Sequence, residues 1–339
     1  MGHEGPRGEG ARAEEGIDCE WYMVDRSEFE DEESAEARRF DVPEDAHGER
    51  LDKVLVRFAG EFSRSHLQSL IKSGRVAVDS HVVAGPARRM RAGQGVVATL
   101  VPTAESRAYL PQALPLTVIH EDEHLLVIDK AAGMVVHPAA GNWSGTVLNA
   151  LLARDPQSAA LPRAGIVHRL DKDTSGLMVI GRTLTAVTAL VRAIGARDVH
   201  RRYRAIAHGR PSADRFVVDA PIGRDPSMRT RMAVVAAGKA ARTDFERLAT
   251  GEGASAMSCT LHSGRTHQIR VHLAARGLPL VGDRLYGGRP ALGMERQALH
   301  AAELAFAHPA SNRPLTFEAS LPADLADAWR RVVDAPGGD

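Results

Sequence analysis

Leu51, Val54, Leu55 and Phe58 recur at the intervals that put apolar side chains on one face of a helix, and Leu67, Leu70 and Ile71 do so again. Ser63 stands where a helix N-cap is expected, and Ser73-Gly74 supplies a stop. Short apolar runs follow at Val76-Ala77-Val78, Val82-Val83 and Val96 to Leu100, with a polar turn over Met90 to Gly95. Val101 to Ala113 lacks periodicity, contains Pro102 and Pro111, and reads as a linker. Beyond Leu114 the pattern becomes one of short strands. Val118 to His120 and Leu125 to Asp129 look paired, and further strands are expected at Met178 to Ile180, Phe216 to Val218, Met232 to Val235 and Leu304 to Phe306. Met257 to Leu261 alternates as a strand does. Helical spacing returns at Thr146 to Ala153 and Leu184 to Ile194. Many strands with few helices predict an α+β fold with a mixed or antiparallel sheet.

Composition narrows the class. The 339 residues suffice for about two domains, and 44% hydrophobic content supports a sizeable core. No run approaches the roughly 18 apolar residues of a membrane span, and no secretory signal is visible at the start. Cys19 and Cys259 form neither a disulfide framework nor a zinc spacing, which suits a reducing cytoplasm.

A net charge of zero conceals a division. Residues 1–36 carry 13 Asp/Glu against 3 Arg, so the rest of the chain is basic. Residues 1–38, with the run Glu28 to Glu33, bury too little to order themselves and are expected to form an acidic disordered tail. Between residues 50 and 100 there are nine Lys/Arg and three Asp/Glu. Arg64, Lys72, Arg75, Arg88, Arg89 and Arg91 would gather near the second helix and its turns, as phosphate contacts do.

The most chemical stretch is Gly165 to Leu177. It sets His168, Arg169, Asp171 and Asp173 between apolar residues and runs straight into Met178-Val179-Ile180. Unpaired buried charge is costly, so this reads as an active-site loop feeding a core strand. Two more charged blocks follow, His200 to Ala205 and Ser263 to His272. His262, His267 and His272 are five apart; on a strand that spacing alternates faces, which argues against one shared metal ion.

His168-Arg169-Leu170-Asp171 with Thr174-Ser175-Gly176, Tyr203 in its block, and Gly264-Arg265-Thr266-His267-Gln268-Ile269-Arg270-Val271-His272 together resemble the signatures of the RluA-type pseudouridine synthases. The departures Ala131 and Asp225 lie outside these blocks. The resemblance covers nearly all of residues 114–323 and implies a catalytic domain there. It implies catalytic roles for Asp171, Tyr203 and Arg265, with Arg265 pairing Asp171. Substrate contacts are implied for His168, Arg169 and Ile269, with Arg169 filling the space left by an extruded uridine. Whether Asp171 acts as nucleophile or base stays open. No cofactor or metal is implied, and no obligatory protein partner is evident. Residues 49–102 resemble an S4-type RNA-binding domain, residues 103–113 a linker, and residues 324–339 a C-terminal tail. Within the family the likeness is strongest to members acting on 23S ribosomal RNA, and it implies uridines in the loop of helix 69. A non-catalytic RNA-binding assembly factor and a base glycosylase using the same Asp are the alternatives.

Overall fold

The computed structural model describes residues 35–101, 103, 108–139, 141–228 and 230–335. The chain divides into two units, Met1–Thr103 and Ala104–Asp339.

The first unit orders β1 (Glu36–Asp41), α1 (Leu51–Phe58), α2 (Arg64–Lys72), β2 (Val76–Val78), β3 (His81–Val82) and β4 (Gly95–Leu100). Its sheet runs β1-β4-β2-β3 and is antiparallel throughout. The apolar helix faces and the inward residues Val96, Ala98 and Leu100 of β4 form one core. Ser63 Oγ accepts the His66 amide at the start of α2. At its end Gly74 takes a φ of +76°, and the Arg75 and Gly74 amides reach back to the Leu70 and Ile71 carbonyls. That closes the orphan carbonyls of the last turn, and a left-handed residue there favours glycine.

Most of the acidic tail expected over residues 1–38 lies outside the described residues, but its last positions need correcting. Glu36 to Arg38 belong to β1, paired with β4 in the register Arg38↔Ala98 and Phe40↔Val96. Phe40 stacks on Phe58 with ring centroids 4.0 Å apart, which supplies the apolar anchor that the acidic composition obscures.

The second unit contains β5 (Thr117–Glu121), β6 (Leu125–Lys130), α3 (Val147–Arg154), β7 (Ser175–Gly181), α4 (Leu184–Ala196), β8 (His200–His208), β9 (Arg215–Asp219), β10 (Ile222–Arg224), β11 (Met232–Val234), β12 (Arg242–Gly251), β13 (Ala254–Leu261), α5 (Gln268–Ala275), β14 (Leu299–Ala307), β15 (Pro314–Glu318) and α6 (Ala323–Val333). The main sheet runs β5-β6-β7-β14-β8-β13-β12-β9, and β15 also pairs with β14. Among the described residues only β7 and β14 run parallel, so the sheet is mixed. β10 and β11 form a separate hairpin.

β7 is buried along its whole length. Met178 and Ile180 enter one core cluster with Tyr203 and Ile269, while Leu177 and Val179 enter another with Leu190 and Phe306. A strand covered on both faces needs a continuous apolar run rather than alternation. At its start Gly176 adopts φ +114°, and a Cβ there would lie 2.3 Å from the Ala301 carbonyl oxygen. No other residue fits where β14 crosses so closely.

Two expectations fail here. Residues 324–333 are helix rather than tail, because Leu325, Ala328 and Val332 fall on one face and bury against Ile206, Ala254 and Ala256. The block Ser263 to His272 is not strand. β13 ends at Leu261, and a turn delivers the chain to α5. Among the described residues, no helix is long and apolar enough to cross a membrane.

Candidate active site

The loop between residues 167 and 174 is held from several sides. Lys130 is buried at the end of β6, and its Nζ donates to the carbonyls of Ala131 (2.8 Å), Met134 (2.9 Å) and Lys172 (3.0 Å). Burial pulls its pKa down to about 8. The three carbonyls satisfy all three of its donors. The Gly133 amide also reaches the Lys172 carbonyl, and Arg296, paired with Asp324, donates to the Asp173 carbonyl. His168 Nε2 accepts the Val179 amide at 3.0 Å, tying the loop to β7. Desolvation holds that ring neutral, with a pKa near about 3. His168 also lines the cavity that holds Asp171, so it reaches any substrate there with one of its two ring nitrogens already engaged.

Asp171 is thereby set on a cavity of about 820 Å³ whose lining includes Arg169, Tyr203, Arg265, Ile269 and Arg270. Its Oδ2 accepts from Arg270 Nη1 at 2.9 Å. Arg270 simultaneously forks onto Asp283 through Nε (2.7 Å) and Nη2 (2.9 Å), and its guanidinium lies 5.0 Å from the Tyr286 ring centre. Burial disfavours this charge, but Asp283 and then Asp171 outweigh it, and the Arg270 pKa is raised. The cation is permanent, and a planar fork can hold two carboxylates at once.

The pairing expected of Arg265 is therefore made by Arg270. Arg265 lies in the turn after β13, exposed, with Nε on the Ala240 carbonyl at 3.0 Å. The turn closes at His267, which adopts φ +56°, and α5 then carries Ile269 and Arg270 inward. Gln268 locks the turn: its amide donates to Arg242 O and Thr243 Oγ1, and its oxygen accepts Ser263 Oγ and the Arg265 amide.

Three histidines of this region go to separate partners. His262 meets Asp244, and His272 bridges Thr243 and the Ala220 carbonyl. His267 Nδ1 meets the Tyr286 hydroxyl at 2.8 Å, while its Nε2 stands 3.8 Å from Asp171 Oδ1. Burial lowers the His267 pKa despite Asp171. A neutral ring with its proton on Nε2 would point that N–H toward Asp171. Among the described residues, no group of three or more His, Cys, Asp or Glu side chains is arranged to hold a metal ion.

Tyr203 lies on β8, opposite Cys259 of β13 and Ala301 of β14. Burial, with the Asp171 charge adding to it, pushes its phenol up to about 12, so the hydroxyl keeps its proton at neutral pH. Ile269 belongs to the same buried cluster. Arg169 is exposed at the cavity and makes no ion pair among the described residues. Asp283 and Tyr286, in the block Val281 to Gly287, were missed as partners of the site. Their signal in the sequence was that Val281 to Gly287 is itself one of the blocks that resemble the family. In the first unit, Lys72, Arg88, Arg89 and Arg91 are exposed, but Arg64 is engaged with Asp52 and Arg89 donates to the Gly48 carbonyl.

A carboxylate held by a buried arginine, beside a tyrosine carried by an interior strand of a mixed sheet, defines a class. Residues 124–275 match the family described as RNA pseudouridylate synthase. The chain is 48% identical over 297 residues to "Ribosomal large subunit pseudouridine synthase D" of Xanthomonas campestris pv. campestris, covering 84% of this chain and 89% of the relative. It is 46% identical to the protein of that name from Pseudomonas aeruginosa, covering 85% and 93%, and 44% identical to that of Nitrosomonas europaea, covering 87% and 88%. Among solved structures, "Human RNA Pseudouridylate Synthase Domain Containing 1" aligns with a TM-score of 0.50 at 25% identity, covering 62% of this chain and 85% of that one. The chain belongs to the RNA pseudouridylate synthase family and is an RNA pseudouridine synthase.

Proposed function

We propose that this enzyme converts uridine to pseudouridine in 23S ribosomal RNA, at uridines in the loop of helix 69, in the cytoplasm. The observation that carries the reading is Asp171, lining the cavity with one oxygen tied to Arg270 and the other without a side-chain hydrogen bond among the described residues, in a chain whose relatives at 44–48% identity are named for the ribosomal large subunit.

The reaction breaks the N1–C1′ bond, turns the uracil and joins C5 to C1′, so atoms balance without a redox partner. Asp171 is the nucleophile or base, and Arg270 supplies the counter-charge that fixes its orientation. Uracil lies between Tyr203 and Ile269; C5 loses a proton and N1 gains one, and the protonated phenol relays that transfer by giving up its own proton as it takes the one from C5. Extruding the uridine costs a few kcal/mol, and Arg169, exposed at the cavity, fills the gap. Residues 49–102 act as an S4-like RNA anchor, with Lys72, Arg88 and Arg91 as the leading phosphate contacts and Arg64, Arg75 and Arg89 beside them, Arg64 and Arg89 already serving the protein.

Pseudouridine mapping of 23S ribosomal RNA tests this in cells with the gene intact, deleted, or replaced by Asp171→Asn. Helix 69 pseudouridines should vanish on deletion and return only with the unaltered gene. Loss at other uridines instead would move the target. An unchanged map would sink the reading, and free uracil released in vitro would favour glycosidic cleavage without rejoining.

A further inference from the structure

Tyr109 presents a large aromatic face to solvent, being 73% exposed, and it lines the same cavity as Asp171. Its position is not casual. Asn149, fully buried in the first turn of α3, sends its amide to the carbonyls on both sides of it, Ala108 (3.3 Å) and Leu110 (2.8 Å). The Asn149 carbonyl then accepts the Gln112 amide, and Gln112 Oε1 accepts the Gly145 amide. Asn149 also completes the capping box with Thr146. The backbone on either side of an exposed ring is thus fastened to a helix start.

The same corner displays His137. The amides of Val147 and Leu148 donate to the carbonyls of Val135 and Val136, just before it. His137 lines the cavity, and its Nε2 is buried with no hydrogen-bond partner among the described residues. Burial, reinforced by Arg163 and Arg169, pushes its pKa down to about 4, so the ring is neutral and both arginines are close. Arg163 lines the cavity from a strained backbone with φ +53°, followed by Ala164 at φ +52°. Strain of this kind concentrates at functional sites.

At about 820 Å³ the cavity lies near the top of the roughly 300–1,000 Å³ typical of pockets for whole small molecules. One extruded uridine at Asp171 leaves the Tyr109 end unfilled. We propose that Tyr109, His137 and Arg163 form a second nucleotide site, which takes the nucleotide adjoining the target uridine. Its base stacks on Tyr109, its edge meets His137, and its phosphate meets Arg163. Every base offers a flat face to an aromatic ring, and a guanidinium suits a phosphate. The site rests on the RNA synthase reading and would select the sequence context of the target.

The test uses the full chain and a 23S ribosomal RNA transcript, with wild type, Tyr109→Ala, Tyr109→Phe and Tyr109→Trp. Tyr109→Ala should raise KM by roughly tenfold with kcat nearly kept, since stacking is lost but Asp171 is untouched. Phe and Trp should hold KM near wild type, because the ring face and not the hydroxyl is used. A hairpin carrying the mapped uridine, with 2-aminopurine on either side in turn, should be quenched at one of these positions by wild type and Trp but not by Ala. Wild-type KM and quenching in Tyr109→Ala overturn the site while leaving the synthase reading intact. A fall in kcat alone also overturns it, by making Tyr109 part of the catalytic fold. If wild type converts no uridine in the transcript, both readings fall together.

Discussion

Asp52 in the first unit and Asp171 in the second are both aspartates held by arginine, yet they are finished differently. Asp52 has no exposed surface and accepts from Arg50, Arg64 and Gln68, so both of its oxygens are occupied. Asp171 keeps 16% of its side chain exposed, and one oxygen takes Arg270. Its other oxygen has His267 at 3.8 Å, beyond hydrogen-bond range. A carboxylate whose lone pairs are filled holds chain segments together. One left half-satisfied on a cavity retains lone pairs for a substrate. The cost of that incomplete state falls on the surrounding frame, the fork of Arg270 onto Asp283 and the Lys130 clamp on the loop.

The contrast predicts opposite phenotypes. Asp171→Asn should lower pseudouridine formation by about four orders of magnitude or more with melting temperature nearly unchanged, because it removes the reacting group and little packing. Turnover like wild type would end the assignment. Arg270→Lys should cost roughly 10²-fold or more, since a single ammonium cannot serve Asp171 and Asp283 in one plane. Arg265→Lys measured beside it should stay close to wild type; equal losses would mean that the turn arginine shares the chemistry. Tyr203→Phe keeps the ring and removes the phenol, and a rate loss of about 10² or more is expected if the hydroxyl handles the C5 proton. An unchanged rate would reduce Tyr203 to packing.

The smallest catalytic effect belongs to Asp52→Asn. It should leave kcat intact and destabilise the first unit by about 1–3 kcal/mol through unsatisfied donors. Hydrogen bonds from Arg50 chiefly hold the Asp52 pKa well below the carboxylate range. A depressed folded pKa contributes stability above the unfolded value near about 4 and loses it as pH falls below that. Acid unfolding of the wild-type first unit should therefore weaken in its pH dependence in Asp52→Asn, read by circular dichroism between roughly pH 5 and pH 2. The same acid profile in both proteins would show that the Asp52 cluster is not the acid-labile element.

Some of this was readable without coordinates because it is local. Leu51, Val54 and Leu55 sit on one helix face in any context, and the run Leu177 to Ile180 can only be a strand buried on both sides or a short buried helix. Asp171 stood out because charge beside a core strand demands a purpose. Other features were hidden. β1 is mostly charged, with two acidic and two basic residues, and its one large apolar residue, Phe40, finds Phe58 only after the chain folds. The α6 spacing of Leu325, Ala328 and Val332 was present but short and flanked by polar residues, so it read as tail.

By itself the sequence determined the family and the mixed α+β class and singled out Asp171 for the site, since periodicity and contiguous motifs are carried by neighbours along the chain. Only the tertiary structure decided which arginine faces Asp171. Arg265 and Arg270 belong to one block, and the choice depends on a left-handed turn at His267 and on Asp283, 13 residues beyond Arg270, waiting to take the other edge of its guanidinium. Tertiary structure alone also tied the His168 ring to the Val179 amide. A side chain's type sets what it can do, but its partners are chosen by contacts far apart in sequence, and spacing along the chain does not encode those distances.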